Sequence, residues 1–190
     1  MKYTQSPNFP VLIHEIITEP DPDLKLYCLQ EAEKDPVGTF KTNEGGWQSQ
    51  STYRKSLISD KINEIMDSSI RKAMCGEIQL LDYWININGL GSSNNVHDHP
   101  GSDFAGVYYV QVPDNSGDIY FQNPHTFVGF REMMFYNPDM AENSGQILQK
   151  DFTPVAGLCL IFPSHLKHGV LKSGSTEDRI SISFNIRVIG

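Results

Sequence analysis

Arg179-Ile180-Ser181-Ile182-Ser183-Phe184-Asn185-Ile186-Arg187-Val188 alternates without a break between polar and apolar side chains. Successive residues of a strand point to opposite faces. Ile180, Ile182, Phe184, Ile186 and Val188 therefore share one face, and Arg179, Ser181, Ser183, Asn185 and Arg187 share the other. A period of two with one apolar face identifies a β-strand laid on a core. The polar face can simply meet water. Its composition fits that poorly, because exposed strand positions favour Thr, Lys or Glu over Ser and Asn. Short polar groups suit the wall of a pocket that hydrogen-bonds a polar ligand. A guanidinium at position 179 could grip a carboxylate bidentately, with the Ser181 hydroxyl beside it.

The same period runs through the sequence from Gly76 onward. It predicts strands at 77–88, 106–112, 117–122, 132–136, 157–162, 167–171 and 179–188. Turn residues separate them, among them Gly89 to Asn95, Pro113 to Gly117, Asn137-Pro138 and Pro163-Ser164. Many short strands at this spacing describe a sandwich or jelly roll. The N-terminal part differs. Residues 10–18 read as a strand, and Asp21-Pro22 as an N-cap followed by proline at the first helical position. The spacing of Leu24, Tyr27, Cys28 and Glu31 predicts a helix over 22–34. Residues 36–56 carry turn chemistry, and 59–74 predict a second helix with Ile62, Ile65, Met66, Ile70 and Ala73 on its apolar side. The expectation is a mainly β (α+β) chain forming one domain over 1–190. Residues 1–76 would be a helical support packed on one sheet, and 77–190 a double-sheet β-core.

The segment Asn94-Asn95-Val96-His97-Asp98-His99-Pro100-Gly101 adds chemistry. Histidines at i and i+2 of an extended segment point the same way, so both rings can reach one ion, while Asp98 points away. A third ligand must come from elsewhere. In Leu160 to Val170 a strand turns at Pro163-Ser164 and returns, and His168 shares the inward parity of Leu166 and Val170. His165, nearer the turn, is expected at the surface. Three inward imidazoles on a β-scaffold would bind iron(II) facially with coordination positions left open. An isolated pair of this spacing is often incidental, and His14 and His125, without such context, read as surface or structural residues.

Taken in order, these motifs resemble a known family. They are Gly46-Trp47-Gln48-Ser49, Trp84-Ile85-Asn86-Ile87-Asn88, His97-Asp98-His99-Pro100-Gly101-Ser102 and Gly106-Val107-Tyr108-Tyr109-Val110. Ile161-Phe162-Pro163-Ser164 through His168-Gly169-Val170, then Arg179 through Asn185, complete the set. The chain resembles the double-stranded β-helix 2-oxoglutarate/iron(II) oxygenases, and more narrowly a bacterial and phage family of them. The resemblance implies a double-stranded β-helix (jelly-roll, cupin-like) core and a dioxygenase that takes Fe(II) as metal and 2-oxoglutarate as cosubstrate. It would release succinate and CO2 while oxidising a further substrate. It also implies His97, His99 and His168 as metal ligands, and Arg179 and Ser181 as partners of the cosubstrate. Tyr109, rather than Tyr108, would contact the cosubstrate, and Asn86 and Asn88 stand where relatives place polar pocket residues. Asn185 lies on the same polar face. Position 99 departs from the pattern, since most of the superfamily has an acid there. Asp103, brought back by the Pro100-Gly101 turn, and Asp98 are the rival ligands.

Composition narrows the partners. A formal charge of −8 argues against a dedicated nucleic-acid binder. The odd, widely spaced Cys28, Cys75 and Cys159 read as buried free thiols in a reducing compartment. No stretch reads as a signal peptide or membrane span, so a cytoplasmic protein is expected. The expected partners are 2-oxoglutarate, dioxygen and a substrate the sequence does not name, and a homodimer stays open. Two other readings remain: a cupin-like three-His dioxygenase or isomerase that does not use 2-oxoglutarate, and a non-enzymatic jelly-roll binding module with incidental histidines.

Overall fold

The computed structural model describes residues 10–74, 76–125, 135, 137–143, 145 and 147–189. The chain begins with strand β1 (His14–Ile17), helix α1 (Pro22–Lys34), short strands β2 (Asn43–Glu44) and β3 (Trp47–Gln48), and helices α2 (Leu57–Ser68) and α3 (Ile70–Ala73). It continues through β4 (Glu77–Asn88), β5 (Ser93–His97), β6 (Phe104–Gln111) and β7 (Ile119–Gln122). A short helix α4 (Pro138–Asn143) precedes β8 (Gln149–Phe152), β9 (Leu158–Pro163), β10 (His168–Val170) and β11 (Arg179–Ile189). The strands form two sheets, ordered β1-β9-β6-β11-β4-β3 and β2-β5-β10-β7-β8. Every pairing is antiparallel. This is the double-sheet core expected of the double-stranded β-helix.

The apolar face of β11 packs where its alternation requires. Ile180, Ile182, Phe184 and Ile186 join Tyr83, Ile85 and Ile87 of β4 in one cluster with Leu24 and Cys28 of α1 and Ile58, Ile62, Ile65 and Met66 of α2. The helices thus support one face of the six-stranded sheet. Each such side chain, fully buried, stabilises the fold by about 1.5–3 kcal/mol. Gly106 of β6 lies opposite Phe184 and is covered by its ring, so a Cβ there would collide with the ring's far edge. The other face of this sheet, through Ala105, Val107, Tyr109, Leu158, Leu160 and Phe162, meets Ile119 and Phe121 of the second sheet.

Helix α1 has the predicted bounds. Asp21 Oδ1 accepts from the Asp23 and Leu24 amides, and Pro22 sits at the first position. The predicted helix 59–74 starts earlier and is broken. Ser56 caps it through a reciprocal bond with Ser59. The Ser68 and Ser69 hydroxyls both donate back to the Ile65 carbonyl, competing with the backbone ladder where the helix divides. The strand expected over 10–18 shortens to β1. The turn expected over Gly89 to Asn95 already contains the start of β5, and β2, β3 and β8 were not anticipated. These are polar strands: Gln149–Phe152, for example, has three exposed residues followed by a half-buried Phe152. Residues 132–134 and 136 of the expected strand 132–136 lie outside the described residues, as does Cys75. Cys28 and Cys159 are buried free thiols. Among the described residues no helix is long and apolar enough to cross a membrane.

Candidate metal centre

Strands β5 and β10 place His97 and His168 opposite each other in register. His99 lies two residues past the end of β5, where its amide donates to the Ser164 carbonyl at 2.9 Å. The ring centroids stand 5.2 Å apart for His97 and His99, 4.4 Å for His97 and His168, and 5.1 Å for His99 and His168. One nitrogen from each ring lies within 4.8 Å of the others, a group that could hold a metal ion. Asp103 and Asp98 stand outside this group. Asp103 Oδ2 accepts from the Val188 amide at 2.8 Å, which ties it to the far end of β11. Asp98 borders the same cavity but is exposed.

The hydrogen bonds decide which nitrogen faces the centre. His97 Nδ1 is 2.7 Å from the Asn95 carbonyl and His168 Nδ1 is 2.9 Å from the Leu166 carbonyl. A carbonyl can only accept, so each Nδ1 carries the proton and each Nε2 keeps its lone pair. His99 Nδ1 is 2.7 Å from Asn185 Oδ1, and its buried Nε2 has no partner. Burial is the main force lowering the pKa of all three rings, and His168 falls to about 3. Neutral imidazoles with free lone pairs are the form a metal ion requires. A buried, unpartnered Nε2 facing two others is the observation that fits a metal ion to these residues.

The cavity at the centre measures about 390 Å³. Its polar wall is the face of β11 that the sequence singled out, with Arg179, Ser181, Ser183 and Asn185 all lining it, and Asn86 and Tyr109 beside them. Asn86 and Tyr109 flank Ser181 on the two neighbouring strands. Arg187, on the same parity, is exposed and donates to the Gly101 carbonyl instead. Asn88 pairs with Arg179 in register but does not line the cavity; it is buried beside Gly46.

Arg179 is 2% exposed. Its Nη1 donates to the Ser116 and Gly117 carbonyls at 3.0 and 2.8 Å, which fixes the guanidinium plane. Its Nε is buried without a partner, and among the described residues it makes no salt bridge. Burial lowers its pKa. A buried cation without an acidic partner is costly unless an anion completes it, so this wall fits an anionic ligand. Burial also pushes the Tyr109 hydroxyl up to about 12, which keeps it protonated and able to donate.

Other residues of the site escaped the sequence reading. Trp84 stacks on His99 at 5.7 Å between centroids, Lys41 lies 5.9 Å over the Trp84 ring, and Asp82 also lines the cavity. Asp82, Trp84 and Asn86 alternate with Tyr83, Ile85 and Ile87, so the parity rule applied to 77–88 would have found them.

A family model described as "Putative 2OG-Fe(II) oxygenase" matches residues 82–185, more than half of the chain. The chain belongs to this family of 2-oxoglutarate/iron(II) oxygenases. It is therefore an oxidoreductase of the non-haem iron class, with Fe(II) as metal and 2-oxoglutarate as cosubstrate. This does not favour the non-enzymatic module or the cupin-like enzyme without 2-oxoglutarate. No curated protein sequence matches the chain. Among solved structures, a Pseudomonas putida prolyl-4-hydroxylase shares the fold with a TM-score of 0.63 at 16% identity, over 94% of this chain and 93% of that one. The 2-oxoglutarate complex of a viral collagen prolyl hydroxylase from Paramecium bursaria Chlorella virus-1 gives 0.59 at 13%, over 93% and 96%. HygX from Streptomyces hygroscopicus with nickel and 2-oxoglutarate gives 0.63 at 12%, over 93% and 83%. At such identities the likeness concerns the fold.

Proposed function

We propose that this chain is a dioxygenase of the hydroxylase type in which His97, His99 and His168 hold Fe(II) and Arg179 anchors 2-oxoglutarate. The observation that carries the reading is a set of three inward nitrogens sharing one cavity with a buried, unpaired guanidinium. Iron(II) and 2-oxoglutarate, when bound, would supply the oxidising chemistry with dioxygen as oxidant: one oxygen atom would enter succinate as 2-oxoglutarate loses CO2, and the other would oxidise a substrate C–H bond. The protein's share is positioning. The three Nδ1–H bonds hold the rings so that their lone pairs meet at one point. Arg179 receives the far carboxylate of the diacid, with Ser181 and the Tyr109 hydroxyl as further donors. Asn86 is held by its bond to Ser183 Oγ at 3.0 Å and keeps that wall polar. Phe121 and Phe162 pack around His168 and keep water from that side of the centre.

The test is metal-free protein reconstituted with Fe(II) and given carbon-labelled 2-oxoglutarate without added substrate. Slow formation of labelled succinate supports the reading. Absence of succinate together with no 2-oxoglutarate binding would favour the cupin-like enzyme, in which Arg179 binds the substrate's own carboxylate.

A further inference from the structure

The three imidazoles are supported unequally. Backbone carbonyls hold His97 and His168, whereas a side chain, Asn185, holds His99. Asn185 is itself held by a charge. Its Nδ2 donates to Asp82 Oδ1 at 2.7 Å, and Asp82 Oδ2 accepts from Ser51 Oγ at 2.6 Å. An ionised carboxylate can only accept. Asp82 therefore fixes the amide with its nitrogen toward the acid and its oxygen toward His99. That orientation makes His99 Nδ1 the protonated nitrogen and leaves Nε2 for the ion. The order Ser51–Asp82–Asn185–His99 thus sets the tautomer from one end.

The backbone serves this alignment. Asp82 and Asn185 are cross-strand partners of β4 and β11, and the register slips immediately beyond them, where Ile186 pairs with Leu80 and Leu81 is skipped. A bulge re-aims side chains at a site. Three neutral imidazoles contribute no charge to balance a divalent cation, and in a buried centre that imbalance matters. Among the described hydrogen bonds, Asp82 is the carboxylate linked to a ring of the centre.

We propose that Asp82, acting through Asn185, is a positioning residue that gives His99 anionic support and tunes the affinity of the three-imidazole centre for a divalent cation. The acid missing from position 99 is thereby supplied from behind the ring. This rests on the metal-centre reading above, and the experiment keeps the two apart.

The measurement is calorimetric titration of the metal-free chain with Mn(II), with Tm recorded before metal is added. Asp82→Asn keeps an acceptor for Asn185 but removes the charge. It should bind Mn(II) about 10–100-fold more weakly at an unchanged metal-free Tm. Asn185→Leu should weaken binding at least as much. The exchanged pair, Asp82→Asn with Asn185→Asp, places a carboxylate directly on His99 Nδ1 and should restore wild-type affinity or exceed it; a merely structural pair would not be rescued in this way. Wild-type affinity in Asp82→Asn, or an exchanged pair as weak as Asp82→Asn alone, overturns the relay and leaves the metal centre standing. Wild-type protein that takes up no Mn(II) overturns the centre, and the relay with it.

Discussion

The two faces of the six-stranded sheet are built from alternate residues of the same strands, and they do opposite work. Toward the helices, Ile180, Ile182, Phe184 and Ile186 are at most 1% exposed and belong to the apolar cluster shared with α1 and α2. Toward the second sheet, Arg179, Ser181, Ser183 and Asn185 line a cavity, and Arg179 Nε is buried there without a partner. One face lowers the free energy of folding, and the other holds polar groups in wait for a ligand. Their difference teaches that stability and chemistry are separable here at a spacing of a single residue.

Substitutions on the two faces should therefore fail differently. The largest effect belongs to His168→Ala, which removes one of the three proposed metal ligands. Its loss of turnover should exceed the roughly 10–100-fold that partners behind a metal ligand are worth. The metal-free protein should stay folded, because His168 borders an existing cavity and its loss leaves both core clusters in place. On the opposite face, Ile182→Ala should cost about 2–5 kcal/mol in a denaturant titration, while the folded fraction turns over 2-oxoglutarate at close to the wild-type rate. If Ile182→Ala lost catalysis without losing stability, the separation would fail.

Arg179→Met tests the cavity face without touching the metal. Losing a charged, buried hydrogen-bonding group is worth about 1.5–3 kcal/mol. The KM for 2-oxoglutarate should rise by on the order of 10–100-fold, with a smaller change in kcat. An unchanged KM would move the cosubstrate elsewhere.

Acid gives a smaller, graded effect. The His168 pKa is lowered by burial from 6.5 to about 3, so between these values the unfolded chain binds a proton that the folded one refuses. Stability is complete above pH 6.5 and falls as pH drops toward 3. At pH 5 the share of this loss that His168 contributes should be about 2 kcal/mol in metal-free protein, and that share should be missing in His168→Ala. Equal pH slopes in both proteins would deny that His168 is buried neutral.

How much of this was legible in the sequence follows from the same physics. Alternation over 179–188 gave both faces, and inward parity gave His168, because a strand's period needs no knowledge of its partners. The Asp21-Pro22 signal placed α1, since capping is local. Strands β5 and β8 were missed because Ser93-Asn94-Asn95 and Gln149-Lys150-Asp151 bury little apolar surface and owe their conformation to pairing. The relay from Asp82 was invisible for a related reason. Nothing in the sequence states that residue 82 faces residue 185; the β4–β11 register does. Asn88 shows the converse: it has the right parity, yet it is packed beside Gly46 at the end of its strand, away from the cavity wall.

The most direct measurement is a crystal structure of the protein soaked with Mn(II) and 2-oxoglutarate. The account predicts one ion bound by Nε2 of His97, His99 and His168, with the far carboxylate of the diacid on the Arg179 guanidinium. An ion bound through Asp98 or Asp103, or a diacid lying away from Arg179, would contradict it.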